Sequence, residues 1–250
     1  MCLTCGCGGG SGAHDHDHQH DHETLVLEER LLAKNDHLAE HVRGFLAVRR
    51  MTAVNLMSSP GAGKTSLLER TIAELGEGRR ICVVEGDQET AFDADRITRA
   101  GARAIQVNTG SGCHLDADMV GRSLQALDPE PGSLLFVENV GNLVCPALFD
   151  VGEHARVVVI SVTEGDDKPL KYPTMFAAAD LVVVNKIDLL PYVDFDLPRL
   201  HEQARSLNRD VTVLPLSVRT GERVRDWYAW LDSLAPGLEE GEPHGAVVGP

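Results

Sequence analysis

The stretch AVNLMSSPGAGKTSLLER, residues 53–70, constrains the fold of this chain more than any other. A short apolar strand runs into Pro60–Thr65, and an amphipathic helix follows. Glycines there let the loop turn tightly, so that successive backbone N–H groups face phosphate oxygens. The predicted phosphate contacts are Gly61, Ala62, Gly63, Lys64, Thr65 and Ser66. Lys64 brings a point charge to the β- and γ-phosphates, and the Thr65 hydroxyl can ligate Mg²⁺. The helix aims its positive N-terminus at the same place. One position departs from the pattern G-x-x-x-x-G-K-[ST]: its first place holds Ser58, which alters the entry to the loop without abolishing it. The strand before and the helix after favour this reading over an incidental glycine-rich turn.

The strand–helix rhythm continues. AVNLM, ICVVEG, AIQVN, SLLFVEN, RVVVISV, LVVVN and VTVLPL read as strands. Helices are predicted over Lys64–Leu75, Asp93–Ala100, Leu115–Leu127, Tyr172–Ala179, Asp196–Leu207 and Glu222–Leu234. Continuous β-branched runs suit a sheet buried on both faces. The alternation predicts an α/β fold, a P-loop NTPase with a doubly wound, mostly parallel sheet. That domain is expected over residues 51–235. Before it, residues 23–50 have a helical apolar period and form one helix, or two joined near Asn35–Asp36. Residues 1–22, rich in Gly, Asp, Cys and His, read as a flexible metal-binding tail, and residues 236–250 as a loose C-terminal tail.

LVVV leads into Asn185-Lys186-Ile187-Asp188, an N-K-x-D at the end of a late strand, where open α/β sheets bind ligands. The Asp188 carboxylate can accept from the ring N–H and the exocyclic amine of guanine, whereas adenine would leave it unpaired. Asn185 can tie this loop to the phosphate loop. Ser217 and Val218, in LSVRTG, flank the base, although Arg219 stands where a Lys is usual. The expected ligand is therefore GTP or GDP. Asp87 and Glu138, each closing a strand, are candidates for the Mg²⁺ shell and for positioning water. Lys64, Asp87 and Glu138 form the expected catalytic set. Asp93 is a further candidate, with a helix N-cap as its equal alternative. No residue declares itself as the one that orients attacking water.

Cysteine and histidine suggest a second chemistry. Cys113 and His114 lie in one loop and Cys145 in another, at the same expected sheet edge. Thiolate and imidazole suit Zn²⁺ and Ni²⁺, and two chains facing each other could complete the coordination. Cys82, inside an apolar strand, reads as a core residue. Cys2, Cys5 and Cys7 place three thiolates within six residues, with the α-amine close enough to be a fourth, Ni²⁺-favouring ligand. The run HDHDHQHDH, residues 14–22, adds imidazoles that could buffer metal.

Composition removes other classes. Thirty-eight acidic against 23 basic residues give a net charge of −15, and aromatics are 4%, so no nucleic-acid partner is expected. No apolar run reaches the roughly 20 residues of a membrane span. The N-terminus lacks the basic start and apolar core of a secretory signal, so a cytoplasmic location is expected.

Together MCLTCGC, NLMSSPGAGKTSLLE, EGDQET, GCHLDADM, LLFVENVGNLVCP and VVVNKIDLL resemble the HypB-type nickel-incorporation GTPases of hydrogenase maturation, from Met1 to about Leu234. The resemblance implies a SIMIBI-type G domain that dimerises on GTP and delivers nickel to the hydrogenase large subunit. It also implies cooperation with a HypA-type accessory protein. It assigns Cys2, Cys5 and Cys7 to a high-affinity nickel site, and Cys113, His114 and Cys145 to a zinc/nickel site of the G domain. Two other readings stay open: a nickel store or sensor whose nucleotide only sets its oligomeric state, and a GTPase chaperone for a urease or cobalamin enzyme.

Overall fold

The computed structural model describes residues 17–87, 92–110 and 112–234, with side chains from residue 29 on, residue 92 excepted. Seven parallel strands form one sheet: β1 (Thr52–Ser58), β2 (Ile81–Asp87), β3 (Arg103–Asn108), β4 (Leu134–Gly141), β5 (Ala155–Ser161), β6 (Leu181–Asn185) and β7 (Thr212–Pro215). Their order is β3-β2-β4-β1-β5-β6-β7. The order reverses around β1, which places the loop after that strand at the centre of the sheet edge. All seven expected strands are present, and the expected mostly parallel sheet is parallel throughout.

Alternate residues of each strand face opposite layers. On one side Val54, Leu56, Val83, Phe136, Val157 and Val159 pack under α2 (Lys64–Leu75) and α8 (Val224–Ser233). Trp227 of α8 is fully buried there, its indole N–H donating to Thr71 Oγ1 at 3.0 Å. On the other side Ala53, Cys82, Val84, Leu135 and Val137 meet α1 (Asp17–Val48) and α4 (Ala117–Leu127). Met57, Val158, Ile160, Val182 and Val184 meet α6 (Pro173–Ala177) and α7 (Leu197–Leu207). The two remaining helices are α3 (Phe92–Arg99) and α5 (Lys168–Lys171).

Two local expectations need correction. The helix expected over 172–179 is the shorter α6, and the short α5 precedes it outside that range; the two stay separate because Pro173 disfavours helical backbone at Tyr172, which sits at φ −130° and ψ 55°. The N-terminal segment is a single helix, and it starts at Asp17 rather than after residue 22. Residues 17–22 contain no Gly or Pro to stop it. Asn35, Ala39, Val42 and Leu46 form its buried face, whereas Leu31 is exposed because the helix runs past the core.

Candidate functional site

The strands β1, β2, β4 and β6 end at a 570 Å³ cleft lined by the phosphate loop, Glu85, Asp87, Asp93, Arg96, Glu138 and Lys186. Gly63 sits at φ +103° as the residue before α2. A Cβ there would lie 2.5 Å from Asn185 Nδ2, so only glycine lets the two loops meet. Asn185 Nδ2 donates to the Ala62 carbonyl at 2.9 Å, and Lys186 Nζ to the Gly61 carbonyl at 2.7 Å. Asn185 Oδ1 accepts from the backbone N–H of Lys186 and of Val218, at 2.7 and 3.1 Å. Ser217 Oγ donates to Asp188 at 2.6 Å. The predicted base-reading residues are thus brought together and tied to the phosphate loop, while Arg219 is exposed.

Lys64 Nζ donates to Ser58 Oγ at 2.7 Å. The residue that departs from the phosphate-loop pattern thereby docks the loop's own lysine. Burial holds the Lys64 amine below its ordinary value, against the raising effect of Glu138 first among the nearby carboxylates. Thr65 Oγ1 donates to Glu138 Oε1 at 2.7 Å. Burial pushes the Glu138 carboxyl up, opposed by Lys64 and by that hydrogen bond. Glu138 Oε2 and Glu85 Oε2 are buried with no hydrogen-bond partner. Such oxygens call for a donor or a cation. Thr65, Glu138 and the cleft-lining Asp87 are oxygen donors of the kind Mg²⁺ takes. Asp93 accepts from Arg96 at 2.9 Å, and Arg96 also holds Glu69 at 2.6 Å. Asp93 is therefore engaged in an ion pair at the cleft wall.

Cys113, His114 and Cys145 offer three ligand atoms within 4.8 Å of one another. His114 stacks on Phe149, with ring centroids 3.8 Å apart. Burial, opposed by Asp116, keeps its pKa below the ordinary histidine value and so favours the neutral, ligating imidazole. Cys145 opens a short 3₁₀ turn, Cys145–Ala147, flanked by exposed Val144 and Leu148. The donors fit a borderline divalent ion such as nickel or zinc. Cys82 is buried, its thiol pushed up to about 12 by burial, as a core residue requires. Cys2, Cys5 and Cys7 lie outside the described residues, as do His14 and His16.

Sequence reasoning missed three connecting residues. Asn139, next to Glu138, accepts at Oδ1 from the backbone N–H of Leu115, next to His114, at 3.0 Å. Leu115 also packs over Gly86 in the cleft wall, where a Cβ would lie 2.7 Å from its Cγ. Asn35 of α1 accepts from the Ala117 N–H at 3.0 Å and donates to the Asp150 carbonyl at 2.7 Å, touching the segments that follow Cys113–His114 and Cys145. Glu85 stands opposite Glu138 in register on β2 and β4. A carboxylate within the apolar run ICVVEG was the available signal for Glu85.

Residues 52–215 match the family model of the CobW/HypB/UreG nucleotide-binding domain. The hydrogenase maturation factor HypB of Rhizobium leguminosarum bv. viciae is 56% identical over 209 residues, 84% of this chain and 70% of that protein. The chain belongs to the HypB family of hydrogenase maturation factors. HypB of Archaeoglobus fulgidus shares 40% identity at a TM-score of 0.76, covering 82% of this chain and 100% of that one. A second HypB crystal structure, from Helicobacter pylori in complex with nickel, gives 35% and 0.77, covering 83% and 99%. The HypB-type domain match contains the phosphate loop, Asn185–Asp188 and the Cys113, His114 and Cys145 cluster, and ends just before Ser217.

Proposed function

We propose that this HypB-family chain is a GTPase that binds nickel and delivers it to the large subunit of a nickel–iron hydrogenase. GTP and water give GDP and phosphate. In this reading Gly61–Ser66 cradle the phosphates, Asp188 and Asn185 read guanine, and Ser217 and Val218 brace the base loop. Lys64 faces the charge that develops on the phosphoryl oxygens. Thr65, Asp87 and Glu138 would hold Mg²⁺, which supplies positive charge to the same oxygens. Turnover is expected to be slow, since no residue stands out as the orienter of water. Cys113, His114 and Cys145 take nickel or zinc, and Cys2, Cys5 and Cys7 a further nickel ion. A GTP-dependent homodimer, a HypA-type partner and a cytoplasmic site of action complete the proposal. Three donors fall one short of a tetrahedral set, and exposed Val144 and Leu148 beside them offer apolar surface to a second copy.

The observation that carries the proposal is the end of β4. Glu138 there holds Thr65 of the phosphate loop, and its neighbour Asn139 holds Leu115 of the metal loop. Cys145 follows four residues after the strand. A shift of this strand end on gain or loss of the γ-phosphate therefore moves metal ligands.

The test is a calorimetric nickel titration of the full chain with GDP and with a non-hydrolysable GTP analogue. The affinity of the Cys145-dependent site, identified with Cys145→Ser, should differ between the two nucleotides and not in Lys64→Ala. Equal affinities in the wild type would refute the coupling. A store or sensor predicts instead that added nickel restores hydrogenase maturation in cells carrying Lys64→Ala.

A further inference from the structure

The exposed face of α1 holds a second grouping of ligating side chains. His37 and His41 stand four residues apart, so they lie one above the other on the helix. Their Nε2 atoms are 3.3 Å apart and their rings meet edge to face, with centroids 4.8 Å apart. Two imidazole nitrogens bound to one tetrahedral ion at about 2.0–2.1 Å each stand ~3.3–3.4 Å from one another. The pair already has the span of a chelate.

We propose that His37 and His41 form a surface site for a divalent transition ion of the Ni²⁺ or Zn²⁺ class, distinct from the Cys113, His114 and Cys145 cluster. Both rings are exposed, so binding needs no opening of the core. Each ring coordinates through Nε2 and keeps its proton on Nδ1. A neutral ring that carries its proton on Nε2 moves it to Nδ1 as the ion binds, which frees both Nε2 atoms to coordinate. With two protein ligands the ion retains water in its other positions, so the site loads and unloads readily. Along the helix, Ala33 and Lys34 lie one turn before His37, and Gly44 and Phe45 one turn after His41; Phe45 and Arg122 line the groove beside His41. Glu40 lies on the same exposed face but is held by Arg43 at 2.9 Å. Asp118, across the groove between α1 and α4, is held by Arg122 at 2.7 Å.

The position gives the site a role. α1 begins within the histidine run of residues 14–22, and its Asn35 touches the segments that follow Cys113–His114 and Cys145. His37 follows Asn35 by two residues, on the opposite face of the same turn of helix. The pair therefore lies on the same helix that bridges the segments following Cys113–His114 and Cys145. The site requires neither nucleotide nor hydrolysis, so it stands or falls apart from the GTPase reading.

Carbethoxylation footprinting of the full chain, read by peptide mass spectrometry over a titration with Ni²⁺, tests this. His37 and His41 should be protected together, at nickel concentrations that leave the lone His201 of α7 unprotected. His37→Ala should raise the nickel concentration that protects His41 at least about tenfold, and His41→Ala should do the same to His37, because each loses the chelate partner. The thermal midpoint of both variants should match the wild type, as the side chains are exposed. Protection of His41 that is unchanged in His37→Ala overturns the proposal. So does protection that appears only together with that of His201.

Discussion

The phosphate loop and the metal loops share one strand end but differ in how far the chain completes them. Around the phosphate loop, Asn185, Lys186 and Ser58 already hold the loop in place, and Ser217 holds Asp188. The socket is built by a single chain before any ligand arrives, which lowers the ordering cost of binding. The loops with Cys113, His114 and Cys145 bring two thiols and an imidazole together and leave apolar side chains exposed beside them. A small ligand that must be recognised calls for a finished socket. Under the proposed function, an ion that is handed on is better held by a set that a second molecule finishes. Asn139 joins the two, since its side chain holds the metal loop and its backbone follows Glu138.

The largest effect should come from breaking the finished side. Asp188→Asn replaces two acceptor oxygens with one acceptor and one donor, which clashes with the ring N–H and amine of guanine. The Ser217 hydroxyl can still donate to the amide oxygen, so the loop should keep its shape. GTP affinity should fall by about 10² or more, by the logic of an unpaired buried polar group, and xanthosine triphosphate should bind better than GTP. Competition binding with both nucleotides measures this. GTP affinity equal to the wild type would remove Asp188 as the base reader.

The join is a gentler target. Asn139 lines the cleft but is not among the residues proposed to hold either ligand, and Asn139→Ala removes the acceptor for the backbone N–H groups of Leu115 and Val140. The cost in stability should be about 1–3 kcal/mol, for buried donors left unpaired. More telling is the ratio of nickel affinities with GDP and with a non-hydrolysable GTP analogue, which should move toward one. If that ratio keeps its wild-type value while stability falls, the two loops communicate by another route.

How much of this could be read from the residues follows the range of the interaction. The phosphate loop is local: strand, glycines, Lys64, Thr65 and helix are consecutive, so their chemistry is fixed by spacing. The strands were equally plain, because both sheet faces are buried and β1 has no exposed face to confuse the pattern. Asn185 and Asp188 were legible for the same reason, as the end of one strand. The metal triad needed two loops at one sheet edge, which the fold class implied. Asn139, Asn35 and Glu85 stayed hidden, because each acts on a backbone group or carboxylate far away in sequence. A lone Asn or Glu has no pattern to announce it. The pair His37 and His41 was overlooked beside the denser run at residues 14–22, although a spacing of four within a helix is itself a signal.

The smallest expected effect separates the two regions by pH. Glu85 is 2% exposed, and its carboxyl is pushed up to about 8, by burial first and then by Glu138 and Asp87. An unfolded chain holds the same group at the ordinary value of 4.5. Between those values the folded chain keeps a proton that the unfolded chain has released. The contribution of Glu85 to stability is therefore whole below about 4.5 and is lost as pH rises toward 8. Glu85→Gln keeps the size and the neutral character and cannot titrate. Denaturant midpoints taken between about pH 5 and pH 8, without added nucleotide or metal, should fall more steeply for the wild type than for this variant. Cys145→Ser, on the metal side, should keep the wild-type slope. Parallel slopes for wild type and Glu85→Gln would mean that Glu85 ionises as an ordinary carboxylate, and that the crowding of acids behind the phosphate loop is relieved in solution.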